Sequence, residues 1–248
     1  MNSLNKKLSP ETMLRKIRGD FVIEEEDFKK LANQIESTVS QTPVLADVQN
    51  LNFLKYINHP QIGWIKRTGF LSPELIFFSD KIKSLCRLTY LHKDGRIDPC
   101  GGIRKNYLAC SQYSPDESLM KEILKAGSAF CFLQADGLTD MKQQKYLHEI
   151  LLQFEEYLRQ NGISIAMSFS AGPCRICETC AGEIGEDCYD PERKRFSLES
   201  FGIDVDWAMQ MMARKTNDDV WKLRWINNFG LENQDNRIFK SVLGLLIC

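Results

Sequence analysis

The sequence of 248 residues has little that would place it in a membrane or on a nucleic acid. It has no apolar run approaching the roughly 20 residues that span a bilayer, and no apolar stretch follows its first lysines as in a secretory signal. Acidic and basic residues nearly cancel, at a formal charge of −1, so neither nucleic acid nor an anionic membrane is an expected partner. We therefore expect a cytoplasmic protein.

The common catalytic motifs are also missing. There is no glycine-rich phosphate loop, no serine nucleophile elbow, no His-Glu-x-x-His helix and no Cys-x₃-Cys-x₂-Cys run of radical enzymes. The sequence therefore predicts no catalytic residue and leaves open whether the protein is an enzyme.

Cysteine, by contrast, is abundant, with nine residues. A chain of this length buries a core without disulfide support, and the cytoplasm keeps thiols reduced, so metal or redox chemistry is the expected use of these cysteines. Four of them form a dense run within one predicted loop: Cys174, Cys177, Cys180 and Cys188.

The spacing of this run favours an iron–sulfur cluster. Three cysteines at intervals of three, then a fourth before Pro191, approach the Cys-x₂-Cys-x₂-Cys-x₃-Cys-Pro run that binds [4Fe–4S], with a longer last spacer. Zinc more often uses two separated Cys-x₂-Cys pairs and stays an alternative, while a thioredoxin-like pair would leave two cysteines without a role. We predict a [4Fe–4S] cluster on these four residues.

A second candidate site lies upstream, on Cys86, Cys100 and Cys110. Three thiolates would leave one iron of a second cluster open to substrate unless His92 or Cys131 completed the set. The amino terminus of the helix predicted after Cys110 would favour its thiolate form through the helix dipole. The alternative is three separate buried thiols, and Cys131, inside an apolar run, is expected in the core. His59 and His148 are expected to be surface or structural residues.

Residues 1–80 contain no cysteine and carry helical signals, which predicts a helical amino-terminal extension. Helices are expected from Pro10, over Glu24 to Thr38 and, after the signal Ser72-Pro73-Glu74, over Leu75 to Ile82, with 58–69 as a connector. We place a domain boundary near residue 80.

The remaining residues, 81–248, are expected to form a cysteine-rich α/β or α+β domain. A helix after Ser114 precedes a β-α-β unit made of the strand Ala129 to Gln134, the helix Thr139 to Gln160 and the strand Ile163 to Phe169. A later helix, Ser200 to Lys215, and a last strand, Ser241 to Ile247, complete it. The cysteine run follows the second strand directly, where ligand loops gather.

Two stretches resemble a known family: Gly172-Pro173-Cys174-Arg175-Ile176-Cys177-Glu178-Thr179-Cys180, and Cys188-Tyr189-Asp190-Pro191-Glu192-Arg193 with Phe201-Gly202-Ile203-Asp204-Val205. The chain is similar over residues 85–248 to a family of cysteine-rich prokaryotic proteins described as predicted metal-binding proteins of unknown function. The resemblance implies metal binding, as an iron–sulfur protein of anaerobic metabolism. Cys100 and Cys110 look like the counterpart of the family's upstream motif, although Ser111-Gln112 replaces its proline pair.

Three functions follow from these patterns. The first is a redox protein that passes electrons from its cluster to a partner enzyme. The second is an enzyme whose incompletely ligated upstream cluster binds a small substrate for sulfur transfer, sulfur removal or reduction. The third is a zinc-stabilised interaction module that contacts partners through the helices of residues 1–80.

Overall fold

The computed structural model describes residues 10–85, 90–91, 97–98, 105–138, 143–223 and 239–248. Its helices are α1 Pro10–Arg18, α2 Glu25–Gln41, α3 Pro43–Gln49, α4 Asp80–Leu85, α5 Glu117–Ala126, α6 Gln144–Gln160 and α7 Val205–Thr216. Its strands are β1 Ile65–Leu71, β2 Tyr90–Leu91, β3 Ile97–Asp98, β4 Ala129–Leu138, β5 Ala166–Phe169 and β6 Phe239–Ile247. None of the described helices is long and apolar enough to cross a membrane.

The main sheet has four strands in the order β1-β4-β6-β5, and every neighbouring pair is antiparallel. Strands β4 and β5 both run antiparallel to β6, so they point the same way with β6 between them. The predicted β-α-β unit is thus present, split by the last strand, and the fold is α+β. Strands β2 and β3 form a separate antiparallel pair.

Side chains that alternate along the central strands form an apolar cluster on each face of the sheet. Cys131 and Leu133 of β4 pack with α2, α3 and α6 on one face. Phe130 and Phe132 pack with α5 and α7 on the other. Period-two alternation on a strand buried on both sides explains why β4 reads as a continuous apolar run.

Most predicted elements are confirmed with small shifts in their bounds. The helix from Pro10, the helix over Glu24 to Thr38 and the last helix and strand correspond to α1, α2, α7 and β6. The predicted helix over Thr139 to Gln160 is described from Gln143 onward, and the strand Ile163 to Phe169 is shortened to β5.

The expectations for residues 58–82 were wrong in two places. The supposed connector, 58–69, overlaps β1, in which the consecutive polar residues Lys66, Arg67 and Thr68 break the usual alternation. The helix expected over Leu75 to Ile82 is a 3₁₀ turn, Pro73–Leu75, followed by extended chain. There the carbonyl of Phe77 accepts from Asp204 N (2.9 Å), so this backbone is paired with a distant segment before α4 begins.

The boundary near residue 80 stays a prediction. Residues from before this point supply β1 to the main sheet, and both apolar clusters include side chains from α2. The first eighty residues are therefore joined to the rest by backbone pairing as well as by packing.

Candidate metal centre

The four cysteines of the run lie on one long loop, residues 171–196, which we call the cysteine loop. The loop leaves the sheet at the end of β5 and returns to the same place, because Ser170 N donates to the Phe196 carbonyl (2.8 Å) and Ser170 pairs with Ser197 in a parallel bridge. These contacts close the neck of the loop. The sequence placed the run after this strand, and the structure confirms that position.

Short turns set the path of the chain between the thiols. Cys180 precedes the 3₁₀ turn Ala181–Ile184, and Gly185 ends it with φ +78°, a left-handed conformation that favours glycine. The carbonyl of Cys180 accepts from Glu183 N (2.9 Å), and that of Ala181 accepts from Glu186 N (3.1 Å). The loop therefore has its own backbone hydrogen bonds.

All four thiols are free and half-buried. Burial raises the pKa of Cys174, while the backbone amides of Ile176 and Arg195 lower that pKa and the charges of Cys188 and Cys177 raise it. Burial likewise raises the pKa of Cys177, and so do Cys188 and Cys180. The pKa values of Cys174 and Cys177 thus respond to other thiols of the same loop.

Within the described part of the chain, no three histidine, cysteine or acidic side chains converge as a metal-binding group. The structure therefore brings the four cysteines into one loop without focusing them on one point. Their assignment as ligands stays a prediction.

The donor chemistry of the loop nevertheless fits a thiophilic metal. Neighbouring thiols raise the pKa of Cys174 and that of Cys177, so a nearby cation favours their ionisation, and a coordinated metal supplies such a cation. Amides directed at a ligating sulfur are the usual outer support of iron–sulfur and zinc sites. Cys174, Cys177, Cys180 and Cys188 would hold the group.

The segment that carries Cys110 docks on the cysteine loop. Asn106 Nδ2 donates to the carbonyl of Gly182 (3.0 Å), and Lys105 pairs with Glu183 (3.1 Å). A methyl group on Gly182 would lie 2.1 Å from the carbonyl oxygen of Asn106, so only glycine permits this approach. Cys110, four residues after Asn106 in the same segment, is buried.

The rest of the upstream set lies outside the described residues, namely Cys86, Cys100 and His92. The helix predicted after Cys110 is α5, which begins at Glu117 behind its cap Asp116, and a 3₁₀ turn, Ser111–Tyr113, lies between it and Cys110. The effect of this helix on the Cys110 thiol stays a prediction. Cys131 is fully buried in β4 as expected, and burial raises its pKa.

Sequence reasoning missed the buried polar side chains of α6 that contact the cysteine loop. Gln144, His148 and Glu155 are buried along one side of α6, at spacings that put them on a common face. Gln144 lies against Gly172, His148 Nε2 bonds the Arg193 carbonyl (3.1 Å), and Glu155 pairs with Arg195. The signal was present in the sequence as polar residues within an otherwise apolar helical face.

Comparison with known proteins identifies the central part of the chain. Residues 100–220 match the model of a family described as "Predicted metal-binding protein (DUF2284)". Neither the curated proteins nor the solved structures contain a match to the chain. The resemblance expected over 85–248 is confirmed within these narrower bounds: the part of the chain that contains the whole cysteine loop and Cys110 is similar to that family of predicted metal-binding proteins.

Proposed function

We propose that the protein is a cytoplasmic iron–sulfur protein that carries electrons to a partner enzyme, with a [4Fe–4S] cluster on Cys174, Cys177, Cys180 and Cys188. The main support for this proposal is that the four thiols lie on one loop with a closed neck, where neighbouring thiols raise the pKa of Cys174 and that of Cys177. When bound, such a cluster supplies one-electron redox chemistry.

The chain's own residues would have three tasks in this function. The thiolates bind the metal, the amides of Ile176 and Arg195 stabilise the charge on Cys174, and the neck holds the loop on the sheet. The half-buried position of all four thiols leaves the loop accessible to a partner while covering part of each sulfur.

Anaerobic purification with iron and sulfide analysis tests this proposal. We expect iron and acid-labile sulfide in equal amounts with a broad visible absorbance, and Cys177→Ser should lose most of both because one iron loses its thiolate. Cys248→Ser is the matched control, since this exposed thiol lies outside the loop and its loss should leave the iron content unchanged. A colourless protein loaded with zinc would instead support the zinc-stabilised interaction module.

The alternative function, an enzyme with an open cluster on Cys86, Cys100 and Cys110, has one observation in its favour. The Cys110 segment contacts the cysteine loop through Asn106 and Lys105, which would bring two centres close together. The variant Cys110→Ala should then lower the iron content by about half if two clusters of equal size are present. An unchanged iron content in Cys110→Ala would contradict an iron site on the upstream cysteines.

A further inference from the structure

Arg195, near the end of the cysteine loop, is anchored in the interior of the protein. Its Nε donates to Glu155 Oε1 (2.7 Å) and to Ser168 Oγ (3.0 Å), and its Nη2 donates to Glu155 Oε2. Glu155 belongs to α6 and Ser168 to β5, so one side chain ties the loop to a helix and a strand. The Glu155 side chain is only 2% exposed and that of Arg195 18%.

The main chain of the same residue lies at the neck of the cysteine loop. The carbonyl of the next residue, Phe196, accepts the bond from Ser170 N that closes the neck (2.8 Å). Ser170 Oγ donates to the carbonyl of Gly172 (2.8 Å), two residues before Cys174, and lies 3.5 Å from the carbonyl of Arg195. The interior contacts of the Arg195 side chain therefore fix the returning chain beside the segment that leads to Cys174.

Anchoring a loop through a buried ion pair has a large cost in free energy. Removing both charges from water costs several kcal/mol, which the mutual attraction repays only with good geometry and added hydrogen bonds. A buried ion pair is therefore weak evidence for added stability. The bidentate contact to Glu155, with Ser168 as a third point, fixes the orientation of Arg195 as only a guanidinium can.

We propose that Arg195, held by Glu155 and Ser168, is the positioning residue that places Cys174 for metal binding. The inference rests on the proposed use of the four cysteines as ligands, but not on the identity of the metal. Outer residues that orient a ligand typically contribute 10- to 100-fold to metal affinity.

Titration of the metal-free protein with Co²⁺ tests this role through the thiolate-to-metal absorbance. We expect Arg195→Gln to weaken Co²⁺ binding by about 10- to 100-fold. Arg195→Lys should recover part of this loss, because lysine keeps the positive charge but cannot form the bidentate contact of a guanidinium. In the metal-free protein, alkylation mapped by mass spectrometry should become faster at Cys174 than at Cys180, because only Cys174 loses its anchored neighbour.

The matched control is Arg159→Gln. Arg159 also pairs with Glu155 (3.5 Å) but from the solvent side, half-exposed and on the helix itself, so its loss should leave Co²⁺ affinity unchanged. If Arg195→Gln fails to fold, the charge-neutral pair Glu155→Gln with Arg195→Gln replaces it. Co²⁺ affinity and Cys174 alkylation equal to wild type in a folded variant would overturn the proposal.

The outcome is separate from that of the proposed function. A wild-type protein without iron that still binds Co²⁺ through the four cysteines would end the iron–sulfur proposal while the role of Arg195 is tested unchanged. Normal iron content in Arg195→Gln, with unchanged release to a chelator, would end the positioning role alone.

Discussion

At the scale of single residues, Gly182 shows how closely two segments of the protein approach. The carbonyl of Asn106 occupies the space that a side chain at this position would need, and the Gly182 carbonyl accepts from Asn106 in return. The contact joins the Cys110 segment to the cysteine loop. Since the clashing atom belongs to the backbone, it cannot move aside as the end of a flexible side chain could.

Gly182→Ala should therefore lower the free energy of unfolding by about 1–3 kcal/mol, as overpacking of a filled interior does. Denaturant unfolding measures the change. Gly63→Ala, where an added methyl group meets no atom within 4 Å, serves as the control and should be near neutral. An equal effect at both glycines would show that the loop and the Cys110 segment separate easily.

His148 makes the stability of the protein depend on pH. Its pKa is lowered to about 4, chiefly by burial. The bond to the Arg193 carbonyl and the charge of Glu149 raise this pKa, while the charges of Arg195 and Arg193 lower it further. The folded-state pKa thus lies below the ordinary value of 6.5, so the unfolded chain binds the proton first as the pH falls.

The contribution of neutral His148 to the free energy of unfolding is complete above pH 6.5 and is lost as the pH falls through about 4. The total is about 3 kcal/mol by proton linkage. We expect His148→Gln to flatten the decline in unfolding free energy over this range, as measured by urea unfolding at several pH values. A parallel shift at every pH would contradict this account.

At the scale of elements, α7 is held at its start by a residue from the first helix. Asp204 caps α7 by accepting from Trp207 N (3.0 Å), and both its carboxylate oxygens accept from Arg18 of α1 at 2.6 and 2.9 Å. Asp206 also accepts from Arg18 (2.7 Å). One carboxylate therefore serves as a helix cap and as a link to the amino-terminal helix.

Asp204→Asn separates these two roles, because asparagine caps helices about as well as aspartate but carries no charge. We expect a loss of about 1–3 kcal/mol from the weakened bonds to a charged donor, observed as a lower denaturant midpoint. Lys29→Gln, which removes the exposed pair with Glu25, is the control and should change stability by less than about 0.5 kcal/mol. Equal losses of stability in Asp204→Asn and Lys29→Gln would mean that Asp204 stabilises the protein through its helix cap alone.

At the scale of the whole molecule, the amino-terminal residues complete the sheet. Without β1, strand β4 would become an edge with unpaired backbone groups, and the apolar face beneath α2 and α3 would be uncovered. The amino-terminal helices α2 and α3 therefore cover one face of the sheet whose strand β5 leads into the cysteine loop.

A fragment of residues 81–248 should consequently fail to unfold cooperatively and should aggregate. A fragment that begins at residue 24 keeps α2, α3 and β1 and should remain folded, with lower stability because it lacks Arg18. Circular dichroism during thermal unfolding compares the two. Cooperative unfolding of the 81–248 fragment would support the domain boundary near residue 80.

Local patterns predicted the elements that depend on local signals. The periodicity of α2 and α6, the apolar runs of β4 and β6 and the place of the cysteine loop could all be inferred from neighbouring residues. Strand β1 could not, because Lys66 and Arg67 mask its pattern and its pairing with β4 is set by distant residues. The contacts of Glu155 with Arg195 and of Asn106 with Gly182 likewise join residues far apart in the sequence.

The closed neck of the cysteine loop bears on how the chain folds. The bonds between Ser170 and the returning chain offset part of the entropic cost of closing the loop. These bonds need no metal, in contrast to small zinc fingers, which stay unfolded without their ion. A metal-free form of the protein would therefore remain folded, with its loop still attached to the sheet.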